Sequence, residues 1–333
     1  MATLHLPDLP GISTRLFAGE DDYRHVADLV NAESRTAGVD WIVTANEVAL
    51  SLENHENLHL QRGLRFVEVD GEPIGYVIVR WVQEAGGPRV YRHMCKLSPQ
   101  WCGLGIGTSM LHWAQDRLRE IAAGHDFEAK VFRTDTDTVS ADAVSLLEAE
   151  RYRAIEHSAT LVRPDLNNIP VASLPAGIEI RPVTQEQLRT IFDADTEAFR
   201  DHWGFSEPTE GDWVQFLEFP HRDETLWKVA WDGNRVAGQV RSFVNELENT
   251  TFDRKRGWTE FISTAREWRG KGLATALICE SLRELESRGM EEAALGVHVE
   301  NPHGAMRLYQ KLGFVVQSRG AVYEKPMKAS ISS

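Results

Sequence analysis

The same order of patterns runs through this chain twice, and that duplication commits its 333 residues to two copies of one fold. Gly11-Ile-Ser-Thr-Arg15 returns as Gly177-Ile-Glu-Ile-Arg181, each opening an alternating strand followed by a helical pattern, at residues 21–34 and 186–199. Phe66-Val-Glu-Val-Asp-Gly-Glu-Pro-Ile-Gly75 parallels Lys228-Val-Ala-Trp-Asp-Gly-Asn-Arg-Val-Ala237, and in both the Asp-Gly pair suits a tight hairpin turn. Trp101-Cys-Gly-Leu-Gly-Ile-Gly107 matches Trp268-Arg-Gly-Lys-Gly-Leu-Ala274. The stretch from Asp142 to Tyr152 aligns without gaps on that from Gly304 to Phe314, and the copies end alike at Val162-Arg-Pro164 and Glu324-Lys-Pro326. Each copy reads as strand, helix, a helical or loop region, three strands, helix, strand, helix, strand. That is an α+β order: a mostly antiparallel mixed sheet flanked by helices. The copies are expected at 1–164 and 177–333, joined by a Pro- and Asn-rich extended linker at 165–176.

The C-terminal copy carries the chemistry. A strand-like stretch, 257–265, leads into Arg269-Gly-Lys-Gly-Leu-Ala274, and a helix follows at 273–288, with Ala274, Leu277, Ile278, Leu282 and Leu285 on one face and Gly289 after it. Glycines between a strand and a helix leave the first-turn N–H groups uncovered, so those donors and the helix dipole can hold phosphate oxygens. A dinucleotide fingerprint fails, because Thr275 stands where its third glycine belongs, and no Lys-Ser/Thr follows to make a P-loop. Downstream come a short apolar strand, Asn301-Pro-His-Gly-Ala305 and Leu308-Tyr-Gln-Lys-Leu-Gly-Phe314. The glycine loop, the Asn after the next strand and Leu-Tyr-x-x-Leu-Gly-Phe together resemble the acetyl-CoA-binding core of the GNAT N-acetyltransferase superfamily. The tandem layout is similar to that of the mycothiol synthases.

The resemblance implies two GNAT-like domains and transfer of acetyl from acetyl-CoA to a primary amine of a small molecule by direct attack in a ternary complex. It places the cofactor on Ile262, Ser263 and Thr264, whose strand offers free backbone groups to the pantetheine arm. Arg269, Gly270, Lys271, Gly272, Leu273 and Ala274 would take the phosphates, and Asn301 and Ala305 would complete the site. Tyr309 falls at the family's general-acid tyrosine; the alternative is a tyrosine packed beside Leu308 and Leu312. Asn301 serves the cofactor arm or caps the next helix. Glu260 alternates with Trp258, Ile262 and Thr264, and is either the general base, an ion-pair partner or a substrate contact. Asp201, His202 and Trp203 lie in the region that forms the family's acceptor pocket, with Trp213 and Phe216 either lining it or packed in the core.

The copies are chemically unequal. Cys102 stands against Arg269, Val139 against Asn301, Leu147 against Tyr309 and Arg151 against Gly313, while Gly103, Gly105 and Gly107 persist. The first domain is therefore expected to be non-catalytic, with a phosphate cradle of backbone N–H groups still open to it.

Composition narrows the partners. A net charge of −14 argues against nucleic acid, and no apolar run approaches about 18 residues, which argues against a membrane span. Three unpatterned cysteines suit a reducing cytoplasm without a zinc site or other metal. The expected protein is a cytoplasmic monomer or homodimer acting on a small amine, such as a mycothiol-precursor-like or aminoglycoside-like acceptor. The rival from another class is a non-enzymatic acetyl-CoA-binding scaffold or sensor.

Overall fold

The structure is a computed structural model that describes residues 2–126, 129–137, 140–300 and 304–327. The first repeat runs β1 (Ile12–Leu16), α1 (Asp21–Ala37), α2 (Ala45–Glu53), α3 (Leu60–Gly63), β2 (Leu64–Val69), β3 (Glu72–Gln83), β4 (Arg89–Leu97), α4 (Ile106–Ala122), β5 (Lys130–Asp137), α5 (Ala141–Ala149) and β6 (Arg153–Arg163). The second runs β7 (Glu179–Arg181), α6 (Leu188–Phe199), α7 (Glu210–Glu218), β8 (Lys228–Asp232), β9 (Arg235–Val244), α8 (Glu246–Thr251), β10 (Arg256–Thr264), α9 (Leu273–Ser287), β11 (Glu292–His298), α10 (Ala305–Lys311) and β12 (Val315–Pro326). Among the described residues no helix is long and apolar enough to cross a membrane.

The chain divides into two compact units, whose limits differ from those of the two sequence repeats. The first holds residues 1–157, 209–215 and 320–333; the second holds 158–208 and 216–319. The reason lies in the last strand of each repeat. The second half of β6 pairs antiparallel with β11, from Arg163 opposite Ala293 to Ser158 opposite His298. The second half of β12 pairs antiparallel with β5, from Gly320 opposite Asp137 to Pro326 opposite Val131. Each repeat thus gives its final strand to the unit built by the other. Residues 165–176 lack regular structure and pack on the second unit. Leu166 is buried, Ile169, Ala172 and Leu174 pack on the second unit's core, and Arg283 donates to the Pro170 carbonyl at 2.7 Å.

Each unit is a mixed sheet flanked by helices. In the first, β1 to β4 form an antiparallel meander, β4 and β5 run parallel, and β12 closes the order. In the second, β7 to β10 form the meander, β10 and β11 run parallel, and β6 closes the order. The second unit's core sits between its sheet and α9. Leu277, Ile278, Leu282 and Leu285 are fully buried there against Ala230, Val240, Ala293 and Leu295. Burying each side chain of that size is worth about 1.5–3 kcal/mol. The one polar side chain on this face, Ser281, is matched: its hydroxyl lies 2.6 Å from that of Ser242 and 3.3 Å from that of Thr259. Glycine at 313 has a local cause. Its φ is +87°, and a Cβ there would lie 2.5 Å from the Arg163 guanidinium, which donates to the Leu312 and Asn167 carbonyls. The first repeat makes the same turn with Arg151 at φ +66°.

Candidate active site

The site begins where the sheet of the second unit opens. The parallel ladder between β10 and β11 covers only Arg256–Trp258 and Glu292–Ala294, although both strands continue beyond it. On its other side β10 carries a bulge: its register with β9 shifts between Glu260 and Ser263, and Phe261 is forced to φ +50°. The expected simple alternation of Trp258, Glu260, Ile262 and Thr264 is therefore broken. Glu260 is opposite Arg241 and, past the bulge, Ser263 is opposite Gln239. A bulge adds a residue to one strand and so shifts the face of every residue after it.

A cavity of about 800 Å³ fills the opening, a volume suited to an extended ligand. Its lining includes Glu260, Phe261, Ile262, Ser263 and Thr264 from β10, Arg269, Gly270, Gly272, Leu273 and Ala274 from the loop and α9, and Ala305 and Tyr309 from α10. His202, Phe199, His298 and residues 158–160 of β6 also face it.

At one end, Gly270 and Gly272 adopt φ +73° and +82°, and α9 starts on Gly272 without a side-chain cap. A Cβ at either glycine would meet nothing within 4 Å, so the loop faces open space. Uncapped N–H groups at a helix start beside such a space fit phosphate oxygens. Arg269 lines the cavity and is tied to its surroundings. Its guanidinium donates to the carbonyls of Ala198 at 2.8 Å and Thr264 at 3.3 Å and pairs with Asp201 at 3.1 Å. Arg266 grips Asp201 through two bonds, of 2.8 and 2.9 Å. The two arginines hold the Asp201 carboxyl down at about 2, so it is an ionised brace between α6 and the loop. Asp201 does not line the cavity, nor does Lys271, whose ammonium sits 4.6 Å over the Trp268 ring.

At the other end, Glu260 spans the opening: its carboxylate accepts the Gly296 backbone N–H from β11 at 2.6 Å. Burial pushes this carboxyl up to about 7, against the pull of the Gly296 and Phe261 N–H groups. Tyr309 is buried against Phe314, ring centroids 6.1 Å apart. Its phenol is raised above the usual tyrosine value by burial and then by the charge of Glu260. An acid that stays protonated and a carboxyl poised near neutrality thus face one cavity.

Of the acceptor-side residues expected from the sequence, His202 lines the cavity, whereas Trp203 lies outside the lining with its ring 6.1 Å from His298. Trp213 and Phe216 are not in the lining; Phe216 stacks edge-on to Phe192 at 5.3 Å. Asn301 falls outside the described residues. Sequence reasoning passed over Phe199, Phe261 and Gly296. An isolated Phe or Gly in a strand carries no functional signal, and the bulge that exposes Phe261 has none either.

The first unit keeps the loop but not the carboxylate. Gly103 and Gly105 have φ +77° and +81°, and α4 begins without a side-chain cap. At the place of Glu260, however, stands His93, buried and bonded to the Tyr152 hydroxyl at 2.8 Å. Burial holds this imidazole down at about 3, so it is neutral.

Comparison with known proteins agrees with this geometry. The profile of the acetyltransferase (GNAT) family matches residues 27–141 and 188–314, one stretch in each repeat. A mycothiol acetyltransferase of Corynebacterium efficiens is 29% identical over 173 residues, covering 48% of this chain and 53% of that one. N-alpha-acetyltransferase 30 of Schizosaccharomyces pombe is 34% identical over 96 residues, covering 29% of this chain and 61% of that one. The chain thus spans between about half and three-fifths of the length of these relatives. Among solved structures, a GCN5-related N-acetyltransferase from Sphaerobacter thermophilus superposes with a TM-score of 0.73 at 24% identity over 99% of both chains. A tandem GNAT protein from the clavulanic acid biosynthesis pathway gives 0.66 at 16% identity, over 96% of this chain and 99% of that one. Together the duplicated fold, the glycine loop and these matches make the chain a tandem member of the GNAT family of acetyltransferases.

Proposed function

We propose that the second unit transfers acetyl from acetyl-CoA to a primary amine of a small molecule, by direct attack while both are bound, and that the first unit is a non-catalytic partner. The observation that carries this reading is the pairing of Glu260 with Tyr309 in the cavity that starts at the Gly270–Gly272 loop. The family generally uses acetyl-CoA, which when bound supplies an acetyl thioester. The backbone N–H groups of residues 270–274 would hold its phosphates, and the strand from Ile262 to Thr264 would lie along its arm.

Glu260, directly or through a water, takes the proton of the attacking amine onto its carboxylate. The nitrogen bonds to the acetyl carbon, the carbon–sulfur bond breaks, and Tyr309 gives its phenolic proton to the departing sulfur. The two residues are coupled. Once Glu260 is protonated, the charge that helped hold the phenol up is gone, so Tyr309 becomes a stronger acid when the sulfur needs a proton.

Tyr309→Phe is expected to lower kcat of the order of 100-fold while acetyl-CoA affinity stays within a factor of two. Full turnover in that variant would remove Tyr309 from the acid role. Gly272→Glu places a carboxylate in the phosphate space at a φ that a non-glycine residue adopts only with strain. Calorimetry on it should show the second unit's acetyl-CoA site lost. A binding event that survives would assign a second site to the Gly103–Gly105 loop, and undiminished stoichiometry would move the phosphates elsewhere. For the acceptor, a mycothiol-precursor amine and aminoglycoside amines are the two acceptor classes to compare first.

A further inference from the structure

The acceptor end of the cavity has a built aromatic wall. Phe261 is a large apolar side chain, 43% exposed, on a backbone with φ +50°. A non-glycine residue in that region is strained and persists only when its surroundings hold it there. What holds it is a buried cation. The Arg241 guanidinium lies 4.3 Å from the Phe261 ring centroid and is ion-paired with Asp195 at 2.6 Å. The same guanidinium also lies over Phe216 at 5.0 Å. Phe219 meets Phe261 edge-on at 6.3 Å. The ring is therefore fixed at the cavity wall rather than swept by solvent.

The charges around it are as telling. Among the described residues lining the cavity, Glu260 is the single carboxylate. The other polar groups of the lining are neutral or basic, among them the hydroxyls of Ser158, Thr160, Ser263 and Tyr309, the imidazoles of His202 and His298, and Arg269, with Phe199 packed on His202 at 4.4 Å between ring centroids. Burial lowers His298, against the opposing pull of the Glu300 charge. A ligand with several ammonium groups would meet one lining carboxylate for its first charge and none in the lining for the others, and a buried unpaired charge is costly. A flat apolar body has the Phe261 face to lie on.

From this we infer, on the basis of the acetyl transfer proposed above, that the acceptor is a primary amine with one ammonium group on an aromatic or flat apolar body, and that Phe261 selects it. Of the two acceptor classes named above, this disfavours the polycationic aminoglycosides.

The test is acetylation by the full chain of three probe amines, 2-phenylethylamine, spermidine and kanamycin, followed by CoA thiol release and product mass. The expected result is a kcat/KM for 2-phenylethylamine at least ~10-fold above both polycations, a discrimination in the range that pocket contacts give. Phe261→Ala and the milder Phe261→Leu, which keeps apolar bulk but removes the ring, should each pull that ratio towards one. The ratio is read within each variant, so a general loss of activity does not imitate the effect. Equal or better use of spermidine or kanamycin by the wild type, or a ratio unchanged in both variants, overturns the inference and leaves the acetyl transfer standing. Acetyl-CoA binding with no amine acetylated at all would instead overturn the transfer to small amines, and the selectivity with it.

Discussion

Glu260→Gln should lower activity by about 10²–10⁴-fold, the contribution typical of a positioned acid or base, and at the same time make the protein more stable above neutral pH. The two effects have one origin. Burial lifts the carboxyl from 4.5 to about 7, so the folded state holds its proton more tightly than the unfolded chain. Stability from that proton is complete below about 4.5 and is lost as pH rises through about 7. At pH 8 the wild type carries an ionised carboxylate that folding disfavours by up to roughly 3 kcal/mol at about 1.4 kcal/mol per unit. Glutamine can still accept the Gly296 N–H but carries no such charge. Thermal melts should therefore show the variant gaining on the wild type at pH 8 and not at pH 4. In kinetics, the wild-type kcat/KM should climb with pH to half its limit near 7, and the variant should lose that limb. A variant equally stable at both pH values, with the limb intact, would make Glu260 a surface carboxylate without a role in proton transfer.

A cut in the sequence-expected linker should do more damage still. A fragment of residues 177–333 lacks 158–163, which fill the ladder position beside β11, and lacks Leu161 and Leu166 from the core. Loss of one buried leucine costs about 2–5 kcal/mol, and a domain holds only about 5–15 in all. The fragment is expected to give no cooperative melt and to bind no acetyl-CoA, whereas one starting at residue 158 regains both. Cooperative unfolding of 177–333 by circular dichroism would show that the second unit does not depend on β6.

The parts of the fold that were legible in the sequence are those written in local periodicity. The α9 face of Leu277, Ile278, Leu282 and Leu285 is where the spacing puts it, and the glycine loop lies between a strand and a helix. Glu260 and Tyr309, far apart in sequence, do meet at one cavity. The exchange of final strands was not legible, because the two repeats end so alike that self-comparison cannot tell which sheet each strand joins. Nor was the bulge. Trp258 to Thr264 reads as an unbroken alternation, and nothing in the identity of Phe261 announces a positive φ. Arg269 shows a third limit: nothing in the sequence indicated that its guanidinium would bond to Ala198, Thr264 and Asp201. A side chain's partners across 68 residues of sequence are set by tertiary packing.

The crossing of β12 into the first unit also has a consequence for synthesis. A domain made early on the ribosome usually folds before the rest of the chain follows. Here the open edge of β5 waits for residues 320–326, and the Arg133 guanidinium waits for Glu324, 191 positions later. The earliest-made unit is thus among the last to close. Until then it presents an unpaired strand edge to the cell, so slow translation or early termination upstream of residue 320 would leave a half-sheet prone to stick to its neighbours.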